Sequence, residues 1–578
     1  MRRKLLAAVG AAFTFALVSQ PVFAQRIDLD RVVGQSRMQA LSDTDRRAGM
    51  DLLAAFERED WDSFRAMTAR VEDEALRGFL LAEFYLHPRS PTTQLPEIEA
   101  WLARYAKLPQ AEQMVRLGLK RGLVAPPALP RANPLSRHAP ISKRLRPSPT
   151  ADGSMPSDVQ RAILERISND DPDGARLLLD GIDASLSSQA RAEWRQRVAW
   201  SYYIENNDPA ALAMARTVAA GSGPWVAEGE WVRGLSAWRL EDCREALTGF
   251  SRSSELARNS ELKSAASYWA HRAALRCRAP GEANQYLKVA AASDETLYGM
   301  LAREQLGQQL PQTYRVTELS AERKRNLARH GNTRLAIQLA ELGRDDWAAE
   351  TLEHEVLHGD PDQFAQLAGL ARALNLPRTQ VWMGHNIPRG AIADPALRFP
   401  TALYAPYEGW RVDPALAFAH ALQESDFRPR VVSPANAIGL MQVKPIAARD
   451  VDDRVSMNAA YADLKDPAVN LAFGQRNLEK LSESRATQGY LPKVMAAYNA
   501  GLTPVTRWNE EIRDQGDPLL YMESIPYWET RGYVATVMRN YWIYLRQRDE
   551  DAPSRIALAE NDWPMFPTRG QAMAGGQR

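Results

Sequence analysis

The 578-residue chain sets 72 Lys and Arg against 71 Asp and Glu, a formal net charge of +1, so no charge excess is available to draw in nucleic acid. Its length exceeds what one hydrophobic core organises and calls for about two to four domains. Only two cysteines, Cys243 and Cys277, exclude a disulfide-built scaffold; in an oxidising compartment they are candidates for one bridge between adjacent helices, or else two separate buried thiols.

In chain order, Arg2, Arg3 and Lys4 precede an apolar run and small residues up to Ala24, the layout of a secretory signal over residues 1–24. Its removal takes away three basic residues and no acidic one, so the mature chain is slightly acidic. No later stretch supplies the roughly 18 consecutive apolar residues of a membrane span. Arg, Ala and Leu dominate, and no segment alternates Val, Ile and Thr, so the expected class is mostly all-α.

From about 36 to 124 short amphipathic helices are expected, as in "DLLAAFEREDWDSFRAMTARV", with apolar residues at three- and four-residue steps. Eight prolines between Pro126 and Pro156 then rule out a helix and predict an extended connection over 125–156. Helical periodicity resumes from about 157 to 310, where Trp200, Trp231 and Trp269 recur in similar segments, either as helix-pair repeats or within an irregular helical domain. A smaller helical segment covers 318–390, and a Pro- and Gly-rich stretch leads into residues 400–548, where polar residues sit in apolar context. The last segment, 549–578, reads as a tail, with "GQAMAGGQR" expected to be disordered.

Two stretches offer chemistry. "HEVLH", His354 to His358, has the spacing of a zinc-protease helix, with Glu355 as base. Residues 359–407 hold no glutamate to complete a ligand set, so a solvent-facing helix end is preferred and no metal is expected. The second stretch is "DPALAFAHALQES". Asp413 and Pro414 form an N-cap and first-turn pair, and Glu424 falls in line with Leu416, Ala417, His420 and Ala421. A carboxyl on that face is only partly solvated, which raises its pKa toward what a general acid needs. By itself Glu424 is better read as capping the helix or pairing with Arg428 or Arg430.

Glu424–Ser425 is followed by "GLMQ" at Gly439–Gln442, "AAYNAG" at Ala496–Gly501 and "IPYWETRGYV" at 525–534. In order and spacing these four motifs resemble the signature of the soluble lytic transglycosylases. That resemblance implies a lysozyme-like catalytic domain over 400–548 with little β-structure, an N-terminal helical superhelix over 25–317, and a small helical linker domain over 318–390. It also implies Glu424 as the single catalytic acid and base, with no cofactor. The bond cleaved is the one joining N-acetylmuramic acid to N-acetylglucosamine, the substrate's N-acetyl group assists, and the muramoyl 6-hydroxyl closes onto C1 to leave a 1,6-anhydro end.

Substrate-binding positions carried over are Ser425, Met441, Gln442, Tyr498, Asn499 and Glu529, with Ser425 also fixing the helix end and Tyr498 within reach of Glu424 or of the N-acetyl carbonyl. Glu523 is the alternative to Glu529, and Arg531 a neighbour for it. Two residues depart from the family pattern. Asn436 stands where glycine is usual, in a turn that asparagine tolerates. Lys444 replaces an apolar residue after the GLMQ motif and puts a cation near the cleft. The implied partners are peptidoglycan glycan strands and cell-wall synthesis proteins, and the implied location is the periplasm. A lysozyme-type muramidase, which needs a second carboxylate across the cleft, and a non-catalytic helical scaffold are the competing readings.

Overall fold

A computed structural model describes residues 38–137, 143–311, 314, 318–329, 331–451 and 463–567. The expected signal segment and "GQAMAGGQR" lie outside the described residues. Among those described the chain is almost wholly helical, and the sheet is one antiparallel pair, Leu135–Arg137 with Asn386–Pro388. Helices start where the sequence supplies a capping oxygen: Ser42 accepts from the Asp45 amide, Asp73 from Leu76 and Asp242 from Glu245.

Two large hydrophobic cores form among the described residues. One joins helices between residues 48 and 123 to the segment 327–397. Phe56 and Phe79 close on Trp347 at ring distances of 5.9 and 5.4 Å, Arg46 pairs with Glu341, and Leu342 packs directly over Gly49. Each of these short amphipathic helices has one apolar face and too little apolar surface to close a core within its own segment. Residues between 327 and 397 therefore share a core with the helices between 48 and 123.

The second core runs from Ile163 through the superhelix to Phe566. Helices Trp225–Arg239, Cys243–Leu256 and Ser260–Arg276 stack in sequence, with Phe250 5.3 Å from Trp231 and 5.6 Å from Trp269. A Cβ on Gly249 would lie 2.5 Å from the Gly234 amide nitrogen, so this close helix crossing requires glycine there. Cys243, at the start of one helix, and Cys277, just past the end of another, form a disulfide with Cα atoms 5.5 Å apart. Trp200 differs from its two expected repeat partners: it is only half-buried and carries the Arg531 guanidinium 4.1 Å above its ring.

The described parts of the Pro-rich stretch meet both cores, with Leu129 packed on the first and Met155 on the second. Lacking a helical ladder, its backbone is met by side chains of its neighbours, as where the Trp225 indole donates to the Ser148 carbonyl at 3.1 Å. Arg144 is inserted between Glu228 of the superhelix (3.2 Å) and Glu523 near the C-terminus (2.9 Å), with its guanidinium 4.5 Å over Trp231. Further ion pairs tie the superhelix to the same C-terminal region: Arg272 with Asp517 at 2.5 Å and Glu261 with Arg539 at 2.9 Å.

The tail is packed as far as it is described. Helix Pro553–Ala559 places Arg555 2.7 Å from Glu304, and the Phe566 amide donates to the Gly489 carbonyl at 2.7 Å. No helix among the described residues is long and apolar enough to cross a membrane.

Replacing Arg144 strands two buried carboxylates at once. Arg144→Ala is expected to cost about 3 to 5 kcal/mol, read as a lower denaturant midpoint, because removing one partner of a buried pair leaves the other charge uncompensated.

Candidate active site

Helix Pro414–Ser425 begins at Asp413, whose carboxylate caps Ala415 and also holds the Tyr541 hydroxyl at 3.0 Å and Arg548 at 2.8 Å. Leu416, Ala417, His420 and Ala421 are buried, as the helical period required. The helix stops where two successive residues, Asp426 (φ 49°) and Phe427 (φ 59°), enter the left-handed region. Such a pair without glycine is strained. The fully buried Phe427 ring, 5.9 Å from Phe418, holds it in place and leaves Glu424 in the last turn.

Glu424 is half-buried, and its Oε1 accepts from the Tyr533 hydroxyl at 2.7 Å. Burial pushes its carboxyl up to about 7; the Glu529 charge adds to the rise and the Tyr533 hydrogen bond opposes it. Behind this pair lies His420, fully buried, with Nδ1 2.7 Å from the Tyr533 oxygen. Desolvation pushes the imidazole down to about 3, so it stays neutral. The expected contact from Tyr498 to Glu424 is not made. The Tyr498 hydroxyl donates to the Met441 carbonyl at 2.8 Å, and its ring lies 4.6 Å from that of His420.

The GLMQ segment is a tight turn beside the end of this helix. Gly439 takes φ 75°, and a Cβ there would stand 2.4 Å from both the Leu464 carbonyl and the Asn470 side chain. Asn470, wholly buried on helix Pro467–Ser482, holds the turn together: its amide donates to Ile438 and Leu464 carbonyls, and its oxygen accepts from the Met441 amide, each at 2.8 Å. Ser425 does not face the cleft either. Its buried hydroxyl lies 2.8 Å from the Leu440 carbonyl and 3.1 Å from that of Ala421, which ties the helix end to the turn.

Met441 is fully buried and packs against Gly474, so its side chain offers no surface to a ligand. The reversal is geometric: Gln442 adopts φ 48°, which turns Met441 inward and Gln442 outward. The Gln442 amide nitrogen is spent on the Gly439 carbonyl at 2.9 Å. Asn499 Oδ1 accepts from Thr530 at 2.6 Å. Glu529 is exposed in the first turn of helix Trp528–Gln547 and acts on Glu424 through its charge.

Glu523 and Arg531 belong elsewhere. Glu523 binds Arg144 and the Tyr298 hydroxyl, while Arg531 is buried over Trp200 and bonds the Glu523 carbonyl at 3.2 Å. Asn436 takes φ 61°, the left-handed conformation its turn needs, and Lys444 is exposed. The "HEVLH" helix ends at His358, where the two imidazoles stack at 4.2 Å and His354 Nε2 meets the Lys107 carbonyl at 3.1 Å.

Among the described residues no group of three or more His, Cys, Asp or Glu is placed to hold a metal. The sequence reading missed the roles of Tyr533, His420 and Asn470. Tyr533 stood inside the quoted "RGYV", and only its buried helical neighbours Thr530, Val534 and Val537 hint that it faces inward.

Residues 405–520 match the family model described as the transglycosylase SLT domain. The matched span includes Glu424, GLMQ and AAYNAG, and it stops short of Glu529 and Tyr533. Among curated proteins, the soluble lytic murein transglycosylase of Escherichia coli (strain K12) is 34% identical over 169 residues, covering 28% of this chain and 26% of that protein. The endo-type membrane-bound lytic murein transglycosylase A of Klebsiella pneumoniae is 37% identical over 89 residues, 15% of this chain and 44% of that one. The alignment thus spans about a quarter of the Escherichia coli relative's length.

In fold the likeness extends well beyond the SLT domain. The 70 kDa soluble lytic transglycosylase of Escherichia coli superposes with a TM-score of 0.55 at 17% identity, covering 93% of this chain and 99% of that one. A lytic transglycosylase from Pseudomonas aeruginosa, solved as an inactive mutant, gives 0.50 at 16% identity over 95% and 91%.

A carboxyl held near 7 in the folded chain but near 4.5 when unfolded favours the fold most below 4.5, and that contribution is lost as pH rises through 7. Glu424→Gln removes the ionisation. The variant is expected to gain about 2 kcal/mol over wild type above neutrality and little in acid, which denaturant melts at both pH values measure.

Proposed function

We propose that the chain is a peptidoglycan lytic transglycosylase, acting on periplasmic glycan strands, with Glu424 as acid and then base. The observation that carries this reading is one half-buried carboxyl raised to about 7 and bonded only to a neutral phenol among the described residues. At neutral pH a large fraction of such a group is protonated and able to donate. Glu424 gives its proton to the oxygen between N-acetylmuramic acid and N-acetylglucosamine as the C1–oxygen bond breaks. The substrate's N-acetyl group supports the positive charge at C1. The resulting carboxylate then takes the proton of the muramoyl 6-hydroxyl, which closes onto C1, so no water enters and the enzyme regains its starting form.

Gln442, with its nitrogen committed to Gly439, presents its amide oxygen as an acceptor for sugar hydroxyl or N-acetyl N–H groups. Asn499, bonded to Thr530, and the neighbouring exposed Glu529 are the further groups assigned to the substrate. Ser425, Tyr498 and Asn470 bond to the turn.

Glu529 supports a second reading, since its charge reaches Glu424 and a hydrolysing muramidase needs a second carboxylate about 5 to 9.5 Å from the acid. Its exposure weighs against it: a solvated carboxylate on a helix's first turn is poorly fixed for attack at C1.

Digestion of purified peptidoglycan, followed by mass spectrometry of the fragments, separates the two. Muropeptides lighter by one water, with 1,6-anhydro ends, are expected, and reducing ends would replace them for a muramidase. Glu424→Gln is expected to lose about a thousandfold in turnover, and wild-type kcat/KM is expected to fall as pH rises past Glu424's ionisation.

A further inference from the structure

His420 sits one helical turn before Glu424 on the same face, and the reaction just described gives it no part. Its Nδ1 lies 2.7 Å from the Tyr533 oxygen, and that hydroxyl lies 2.7 Å from Glu424 Oε1. Tyr533 has one hydroxyl proton and two neighbours at bonding distance, so the chain of bonds runs in one of two directions. Outward, His420 Nδ1–H donates to Tyr533 and Tyr533 donates to Oε1. Inward, Tyr533 donates to a bare Nδ1, and its oxygen accepts from a proton placed on Glu424 Oε1.

The surroundings of His420 choose between them. Its Nε2 is buried with no hydrogen-bond partner. The inward chain needs the imidazole proton on Nε2, which strands a buried N–H, whereas the outward chain leaves only a bare lone pair there. An orphaned buried N–H is the rarer and costlier of the two.

We propose that His420 is a positioning residue that fixes the direction of the Tyr533–Glu424 hydrogen bond, so that the transferable proton of Glu424 is carried on Oε2, the oxygen Tyr533 does not engage. The catalytic consequence rests on reading Glu424 as the acid. With Oε1 committed as an acceptor, the proton that leaves for the glycosidic oxygen and the one that returns from the 6-hydroxyl both use Oε2. An inward chain would spend the proton on the phenol, where the substrate cannot receive it. The groups acting on the Glu424 carboxyl are Tyr533 and the Glu529 charge, both on helix Trp528–Gln547. Tyr498, on helix Leu491–Ala500, packs on the His420 ring and is itself engaged with Met441. Because His420 stays neutral, the direction holds throughout the working range of Glu424.

Nitrogen-15 NMR of the full chain with labelled histidine tests the tautomer without any turnover, the His420 signals being those lost in His420→Asn. A proton-bearing Nδ1 and a bare Nε2 are expected on both sides of Glu424's ionisation, and a protonated Nε2 would overturn the proposal. In turnover of peptidoglycan, His420→Leu is expected to lower kcat roughly tenfold at near-constant KM. Its alkaline limb should also move to higher pH, because Tyr533 is a weaker donor once nothing donates to it.

His420→Asn, whose side-chain N–H can take the place of Nδ1–H, is expected to restore most of the rate. An unchanged kcat and limb in His420→Leu, or an asparagine variant as slow as the leucine variant with both melting like wild type, would reduce His420 to packing. A wild-type enzyme that released nothing from peptidoglycan would instead refute the proposed reaction, with the tautomer result standing apart.

Discussion

Glu424 is half-buried and bonded to a neutral phenol, and the helices that carry these two groups pack in the second core. The carboxyl comes from the last turn of helix Pro414–Ser425 and the phenol from the second turn of Trp528–Gln547, 109 residues later. An arginine or lysine in place of Tyr533 would pull the carboxyl down and keep it ionised at neutral pH. A site with no donor would push it higher still. One neutral hydrogen bond between these extremes leaves the group near 7, where a proton can be both given and taken back.

The superhelix holds the helix that carries Tyr533 through buried contacts. Helix Trp528–Gln547 is fixed from the superhelix side by Glu261 on Arg539 and by Trp200 beneath Arg531. The preceding segment is fixed by Arg144 and Tyr298 on Glu523, and by Arg239, which bonds Ser524 at 2.9 Å. These contacts are buried and directional, so they locate the helix as well as hold it. The Pro-rich stretch, which could have been a mere connection, supplies the arginine at the centre of this junction.

The helical class, the start of the Glu424 helix at Asp413–Pro414 and the apolar face behind the acid were all legible, because caps and 3.6-residue periods are local. Side-chain direction within the motifs was not legible. Met441 and Ser425 are buried, and the left-handed Gln442 beside Met441 has no local marker as glycine would. Tyr533 and Asn470 act across long sequence separations, where periodicity carries no information about partners. The joining of residues 48–123 to 327–397 was hidden for the same reason: each half shows amphipathic helices, and neither shows what its apolar faces will meet.

The account stands most directly on the ionisation of Glu424. Its carboxyl can be followed by carbon-13 NMR, assigned by difference from Glu424→Gln, in wild type and in Tyr533→Phe. A midpoint near 7 in wild type, moving higher when the hydroxyl is removed, is the predicted result. A wild-type midpoint at the ordinary carboxylate value near 4.5, or one indifferent to Tyr533, would contradict it.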